Sequence, residues 1–161
     1  MSNVKFITGD IFNSKAEALV CPSNAQGTLG AGLAKQFRDM GSVSDDFKEA
    51  NEAYYDVCRK GLMAGGSCMY YEFKQPIGHL KGIVYCATKG YWSLPSKLEY
   101  VETGLGNLLK LISYNKINSI AIPLLGAGLG GLPEPTVEFA IKSAFDHNQQ
   151  NCSVEVWRFK K

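Results

Sequence analysis

Lys89 ends a strand-like apolar run, Gly82–Thr88, and is followed by Gly90, Tyr91 and Trp92. An amine so placed can attack a sugar carbon as a nucleophile or assist a departing group as a fixed cation. A nucleophilic lysine must be partly unprotonated, which calls for desolvation or a neighbouring cation. Most lysines are solvated surface charges, but one at a strand end of an α/β sheet points towards the crevice where ligands gather. Asn24 closes a second apolar run, which begins at Glu17–Cys21, and its amide offers two donors and an acceptor to sugar hydroxyls or, equally, to a turn. Asp10 follows a first strand at Val4–Thr8. Such residues most often cap turns, and the alternative is a carboxylate that accepts from an exocyclic amine such as that of adenine.

Two glycine loops stand near these residues. Ile120–Leu125 reads as the end of a buried strand, and Gly126, Gly128, Gly130 and Gly131 follow before a helix opens near Pro135. A strand, a loop almost without side chains and a helix N-terminus make an anion cradle, because bare backbone brings its N–H groups close to a phosphate and the helix adds its positive end. The other loop runs from Asn24 through Gly27, Gly30 and Gly32 into the helical stretch LAKQFRDM. Its spacing matches a dinucleotide fingerprint only loosely, which is a weak signal by itself.

The elements that must position these groups follow from periodicity. Strands are predicted at Val4–Thr8, Glu17–Cys21, Ser67–Phe73, Gly82–Thr88, Ser119–Pro123 and Ser153–Phe159, with a loop around Pro76 and Gly78 between the third and fourth. Helices are predicted from Leu33, over Ser44–Lys60, after Ser96, and over Pro135–His147. Phe47, Ala50, Tyr54 and Val57 form a stripe of core packing, and Ser96 to Glu99 has the S-x-x-E form of a capping box ahead of Leu98, Val101, Leu105, Leu108 and Ile112. Trp157 suits the core, and Phe159 suits either the core or the wall of an adenine site. The alternation indicates a mixed, mostly parallel six-stranded sheet between helical layers.

Composition narrows the function class. A chain of 161 residues is one domain by size, and a net charge of +2 does not announce a nucleic-acid binder, though a local basic path remains compatible with it. No stretch is long and apolar enough to span a bilayer, and the N-terminal MSNVKFITGD enters a strand pattern instead of a signal peptide. The five cysteines, Cys21, Cys58, Cys68, Cys86 and Cys152, are scattered without a CxxC pair, which favours reduced thiols in the cytoplasm over disulfides or zinc. His79 and His147 are too far apart in the chain to suggest a triad or a metal site.

With these residues in view the chain resembles a macrodomain over nearly its full length. Gly9-Asp10-Ile11 after the first strand, Asn24 to Gly32, and the late GAGLGG at Gly126 to Gly131 occur in the family's order on the family's elements. The resemblance implies a three-layer α/β/α macrodomain over residues 1–161 that binds ADP-ribose between the two glycine loops. The implied binding residues are Gly9, Asp10 and Ile11; Asn24, Gly27, Thr28, Leu29, Gly30 and Gly32; Thr88; and Leu125, Gly126, Ala127, Gly128, Leu129, Gly130 and Gly131. Asp10 would take the adenine amine and Asn24 would orient the distal ribose.

Two segments, Asn24 to Phe37 and Ala87 to Trp92 followed by Ser96 to Tyr100, are similar to the branch of ADP-ribosyl glycohydrolases that includes the DNA-directed antitoxin DarG and the human terminal ADP-ribose glycohydrolase. In that branch the lysine of the Thr-Lys motif is catalytic, which maps onto Lys89. Relatives that act on glutamate-linked ADP-ribose carry an Asp in the second glycine loop, and here that stretch is Gly128-Leu129-Gly130-Gly131. The resemblance therefore implies a cytoplasmic, DarG-like monomer that releases ADP-ribose from thymidine on single-stranded DNA and pairs with a cognate toxin. ADP-ribose is then ligand or product, with no cofactor and no metal. An ADP-ribose 1″-phosphate phosphatase, a hydrolase of glutamate-linked ADP-ribose and a non-catalytic reader are the alternatives.

Overall fold

The computed structural model describes residues 4–91, 93–147 and 151–159, so Trp92, expected beside Lys89, lies outside the described residues. Among these residues six strands form one sheet: β1 (Val4–Thr8), β2 (Ala18–Asn24), β3 (Cys68–Ile77), β4 (Leu80–Lys89), β5 (Ser119–Pro123) and β6 (Ser153–Arg158). Their spatial order is β1-β6-β5-β2-β4-β3, and every neighbouring pair is parallel except β3 with β4. Among the described residues four α-helices cover the sheet: α1 (Gly32–Met40), α2 (Asp45–Arg59), α3 (Leu98–Asn115) and α4 (Glu134–His147).

The packing follows from the apolar pattern. The central strands β2 and β5 are buried on both faces, which is why they read as nearly continuous runs of Ala, Leu, Val, Ile and Cys. Leu33 and Phe37 of α1 and Phe47, Ala50 and Tyr54 of α2 pack on one face, whereas Leu105, Leu108 and Ile112 of α3 and Val137 and Ile141 of α4 pack on the other. Each such large side chain contributes about 1.5–3 kcal/mol on burial. The start of α2 is set by Ser44, whose hydroxyl accepts from the Phe47 amide, and by Asp45 and Asp46 in the first turn.

Two local expectations are corrected. The predicted loop around Pro76 shrinks to a turn at Gly78 and His79, because β3 is an edge strand and tolerates a proline in its interior. The predicted capping box does not form. Lys97 occupies the N-cap of α3 without a side-chain cap bond, and Ser96 turns its hydroxyl inward to Thr88.

The topology dictates where a ligand can sit. All five parallel strands end on the same side, and β2 leads into α1 on one face whereas β5 leads into α4 on the opposite face. The chain thus parts between β2 and β5, and a crevice opens at their C-terminal ends. Among the described residues no helix is long and apolar enough to cross a membrane.

Candidate active site at the strand ends

A cleft of about 700 Å³ fills this crevice. The first glycine loop and the start of α1 make one wall, through Thr28, Gly30, Ala31, Gly32, Leu33 and Ala34. The second loop makes the other, through Gly126, Ala127, Gly128, Leu129 and Gly130. Thr88 and Lys89 close one end, and Phe159 stands at the other. A second cavity of about 210 Å³ is lined by Gly9, Asp10, Ile11, Gln36 and Trp157, and it shares Leu33, Pro123 and Phe159 with the first. The size of the larger cleft lies within the range of roughly 300–1,000 Å³ usual for small-molecule sites.

The first loop is held open by Asn24, which is 4% exposed. Its carbonyl oxygen accepts from the amides of Gln26, Gly27 and Thr28 at 2.9, 3.0 and 3.3 Å, and its amide nitrogen donates to the carbonyl and hydroxyl of Thr28 at 3.0 and 2.8 Å. The Tyr54 hydroxyl donates to the Asn24 main-chain carbonyl at 2.8 Å and reaches its side-chain oxygen at 3.2 Å. Burial first, and the neighbouring Cys58, push the Tyr54 phenol far above its ordinary value, so it remains a protonated donor. Asn24 was expected to orient a ribose. Here the amide is bonded to residues 26–28, and Asn24 also lines the cleft. Tyr54, assigned to packing alone, is the residue that anchors it.

The loop delivers the N-terminus of α1 to the cleft. Ala31, its N-cap, provides no side-chain cap, the first turn has no acid, and residues 31–34 all line the cavity. The first helical amides therefore lack partners within the helix, and the positive end of the dipole faces the cleft, where it would favour an anion. The second loop differs from its expected form. It closes in a 3₁₀ turn at Gly128–Gly130, α4 starts only at Glu134, and no residue of α4 lines the cleft. The anion-attracting helix is α1, not α4.

Gly126 in this loop has φ +80°, and a Cβ there would strike Leu132 and crowd Ser96 and Val101. Only glycine fits, which lets the backbone pass directly under the cleft.

Lys89 sits at the far end of β4, half-buried, and its carbonyl accepts from the Ala25 amide at 3.0 Å. Across the strands it is paired with Asn24 through an irregularity in the β2–β4 register at Ser23/Asn24, which brings the lysine to the mouth of the first loop. Next to it, Thr88 is buried and accepts a hydrogen bond from the Ser96 hydroxyl at 3.1 Å. The lysine, the threonine and both glycine loops converge on one end of the cleft.

The smaller cavity has an aromatic wall and an acid. Trp157, expected in the core, packs partly on the core but also lines this cavity, and its indole N–H donates to Glu155 at 3.1 Å. Asp10 caps a short turn, accepting from the Phe12 amide at 3.0 Å, and also lines the cavity, so both of its anticipated roles are compatible with its position. Phe159 lies between the two cavities.

Four expected residues fall outside both cavities. Leu29 and Leu125 are buried in the core, Gly27 lines a separate depression between α1 and α2 on the far side of its loop, and Gly131 forms the end of the 3₁₀ turn. Ser23, Leu33, Gln36, Ser96, Pro123 and Leu124 line the site without having been anticipated. Leu33 had a signal, since it opens the helical run after the loop, whereas Ser96 was hidden by its resemblance to a cap. Among the described residues no group of three His, Cys, Asp or Glu side chains could hold a metal ion.

A parallel-sheet crevice flanked by two glycine loops, with an aromatic and acidic pocket at one end, has the layout that the macrodomain resemblance implies, and the Macro domain family model matches residues 20–141. The chain belongs to the macrodomain family. It is 35% identical to a DNA ADP-ribosyl glycohydrolase of Thermus aquaticus over 157 residues, 98% of this chain and 41% of that relative. Its structure matches the macrodomain of Thermus aquaticus DarG with a TM-score of 0.83 at 98% coverage of both chains, and that of Mycobacterium tuberculosis DarG with 0.85 at 32% identity, covering 98% of this chain and 97% of that one. It is also 27% identical to a DNA ADP-ribosyl transferase–DNA ADP-ribosyl glycohydrolase fusion protein of Thermosipho africanus, over 81% of this chain and 36% of the fusion. The chain spans about two fifths of the length of such curated relatives.

Proposed function

We propose that this chain is a DarG-like DNA ADP-ribosyl glycohydrolase, which hydrolyses the bond between ADP-ribose and thymidine in single-stranded DNA. The juxtaposition of Lys89 with the two glycine loops carries this reading. The adenine enters the cavity of Asp10, Trp157 and Phe159, and the diphosphate lies between the α1 N-terminus and the second glycine loop. The distal ribose then reaches the end of the cleft walled by Thr88 and Lys89. Bare backbone and a helix dipole suit the diphosphate charge.

Hydrolysis breaks the bond between C1″ of that ribose and the base. Water supplies the oxygen that ends on C1″ and the proton that ends on the base. Lys89 acts at C1″ as an amine nucleophile or as a cation that stabilises the departing base. The second loop, Gly126 to Gly131, has no carboxylate, which favours a DNA linkage over a glutamate linkage. The fused transferase and glycohydrolase of the Thermosipho relative support a DNA-modifying toxin as the cognate partner.

A substrate panel tests the reading. Wild type and Lys89→Ala are incubated with ADP-ribosylated thymidine DNA, an ADP-ribosylated glutamate peptide and ADP-ribose 1″-phosphate, and ADP-ribose release is followed. The expected result is release from DNA that falls by at least roughly 100-fold in Lys89→Ala, with ADP-ribose binding retained. Binding without turnover of any substrate identifies a reader instead. Phosphate-ester cleavage that survives Lys89→Ala, without DNA turnover, identifies a phosphatase.

A further inference from the structure

Ser96 is 6% exposed and lines the cleft. Its amide donates to the Gly130 carbonyl at 3.0 Å, which ties it to the second glycine loop. Its hydroxyl donates to Thr88 Oγ1 at 3.1 Å, which ties it to the strand end that carries Lys89. The following residue adds a bond from the Lys97 amide to the Thr88 carbonyl at 3.3 Å. One serine thus joins the loop that would hold the diphosphate to the strand end that would meet the distal ribose.

Two physical consequences follow. A hydroxyl that accepts a hydrogen bond keeps its own proton to donate, and Thr88 lines the cleft, so Ser96 turns Thr88 into a donor towards whatever lies there. The second concerns Gly130. Its φ lies outside the left-handed region, so its backbone admits a side chain, but a Cβ built on it overlaps Ser96 Oγ and lies 3.0 Å from Ser96 Cβ. Ser96 therefore fills the volume that a side chain at 130 would take. A side chain at 130 would have to displace Ser96.

We propose that Ser96 is a positioning residue of this site, acting through the Thr88 hydroxyl on an oxygen of bound ADP-ribose and matched in volume to Gly130. The proposal rests on the reading of the cleft as an ADP-ribose site. It also limits the chemistry available at the ribose end: any acid introduced at 130 must displace Ser96, so a neutral pair of hydroxyls stands there.

Two double-mutant cycles, read as ADP-ribose affinity by calorimetry with thermal melts to verify folding, test it. Ser96→Ala weakens binding by about 5-fold, Thr88→Val does the same or more, and the double variant is no weaker than Thr88→Val alone. Gly130→Ala weakens binding at least about 10-fold beside Ser96 but less than about 2-fold in a Ser96→Gly background. A purely structural Ser96 would move the melts without coupling to Thr88 in affinity. Additive effects in both cycles, or a Ser96→Ala protein that binds as wild type does, overturn the proposal. Failure of wild type itself to bind ADP-ribose overturns the reading of the cleft, whereas wild-type binding with additive variants overturns the role of Ser96 alone.

Discussion

Leu129 reaches across the cleft to Gly32: a Cβ on the glycine would lie 3.1 Å from Leu129 Cδ1. The two glycine loops, separated by almost a hundred residues of sequence, therefore approach each other closely at the cleft that both line. Leu129 is 74% exposed, so the contact adds little to the core and serves to bridge the opening.

The contact predicts a change in residence time. Leu129→Ala should leave stability within about 0.5 kcal/mol of wild type, because the side chain is largely solvated. It should also speed ADP-ribose dissociation, since a side chain that lines the cleft and approaches the opposite loop is removed. Gly32→Ala carries a separate penalty of about 1–3 kcal/mol from its φ of +59°, and combining it with Leu129→Ala should relieve the collision but not the strain. Stopped-flow dissociation and denaturant melts of the three variants separate the two effects. Unchanged dissociation in Leu129→Ala would sink the bridging role.

Much of this architecture was legible in the sequence because glycine spacing, strand runs and helix stripes are local signals. Asn24, Lys89 and Gly126 stand at strand ends, and a parallel sheet brings strand ends together without further information. Long-range pairings were not legible. Ser96 satisfied the local pattern of a cap, and only the proximity of Thr88 and Gly130 explains why its hydroxyl turns inward. Tyr54 fitted a core stripe, and its hydroxyl gave no sequence signal of the Asn24 carbonyl 30 residues away. Trp157 is apolar enough for the core and is drawn to the cavity because Glu155, on the same face of β6, accepts a hydrogen bond from its indole N–H.

Tyr54 and Asn24 supply the second prediction. Tyr54 is fully buried, and its ring stacks on Tyr85 with centroids 4.7 Å apart, so Tyr54→Phe keeps the packing and removes only the hydroxyl. The Asn24 carbonyl then loses a buried donor, at a cost of about 1–3 kcal/mol. Because Asn24 organises residues 26–28, ADP-ribose affinity should fall together with stability. Chemical denaturation and calorimetry measure both. A Tyr54→Phe protein that loses stability but binds normally would confine Tyr54 to the core.

The ion pair of Arg158 and Glu138 makes stability depend on acid. The guanidinium grips both carboxylate oxygens at 2.9 and 2.6 Å and stacks on Phe6 at 4.8 Å, joining β6 to α4. The Arg158 hydrogen bonds hold the Glu138 carboxyl below its ordinary value. A depressed folded value means that the pair stabilises the fold above the ordinary carboxylate range and that this contribution is lost as pH falls through the folded value. Glu138→Gln should flatten the acid limb of a stability–pH curve below about pH 4 and leave the neutral region less stable than wild type. Denaturant melts across pH 2–7 check the sign, and an acid limb as steep as wild type's would exclude Glu138 as its source.

Asp10 tests how the cleft selects its nucleobase. The carboxylate lines the smaller cavity with Trp157 and Gln36, and one oxygen accepts from the Phe12 amide at 3.0 Å. A carboxylate is an acceptor only, so a base with an exocyclic amine can bond to it, whereas hypoxanthine presents a carbonyl at the same position and meets repulsion. Wild type should therefore bind ADP-ribose at least about 10-fold more tightly than its inosine counterpart. Asp10→Asn keeps an oxygen for the Phe12 amide and adds an N–H₂ donor, so it should bind the inosine form better and the adenine form worse. Asp10→Ala should weaken both, since the turn loses its cap. Calorimetry with both ligands against the three proteins measures the discrimination. Equal preference in wild type and Asp10→Asn would leave Asp10 as a turn cap alone and assign base selection to the shape of the Trp157 and Phe159 walls.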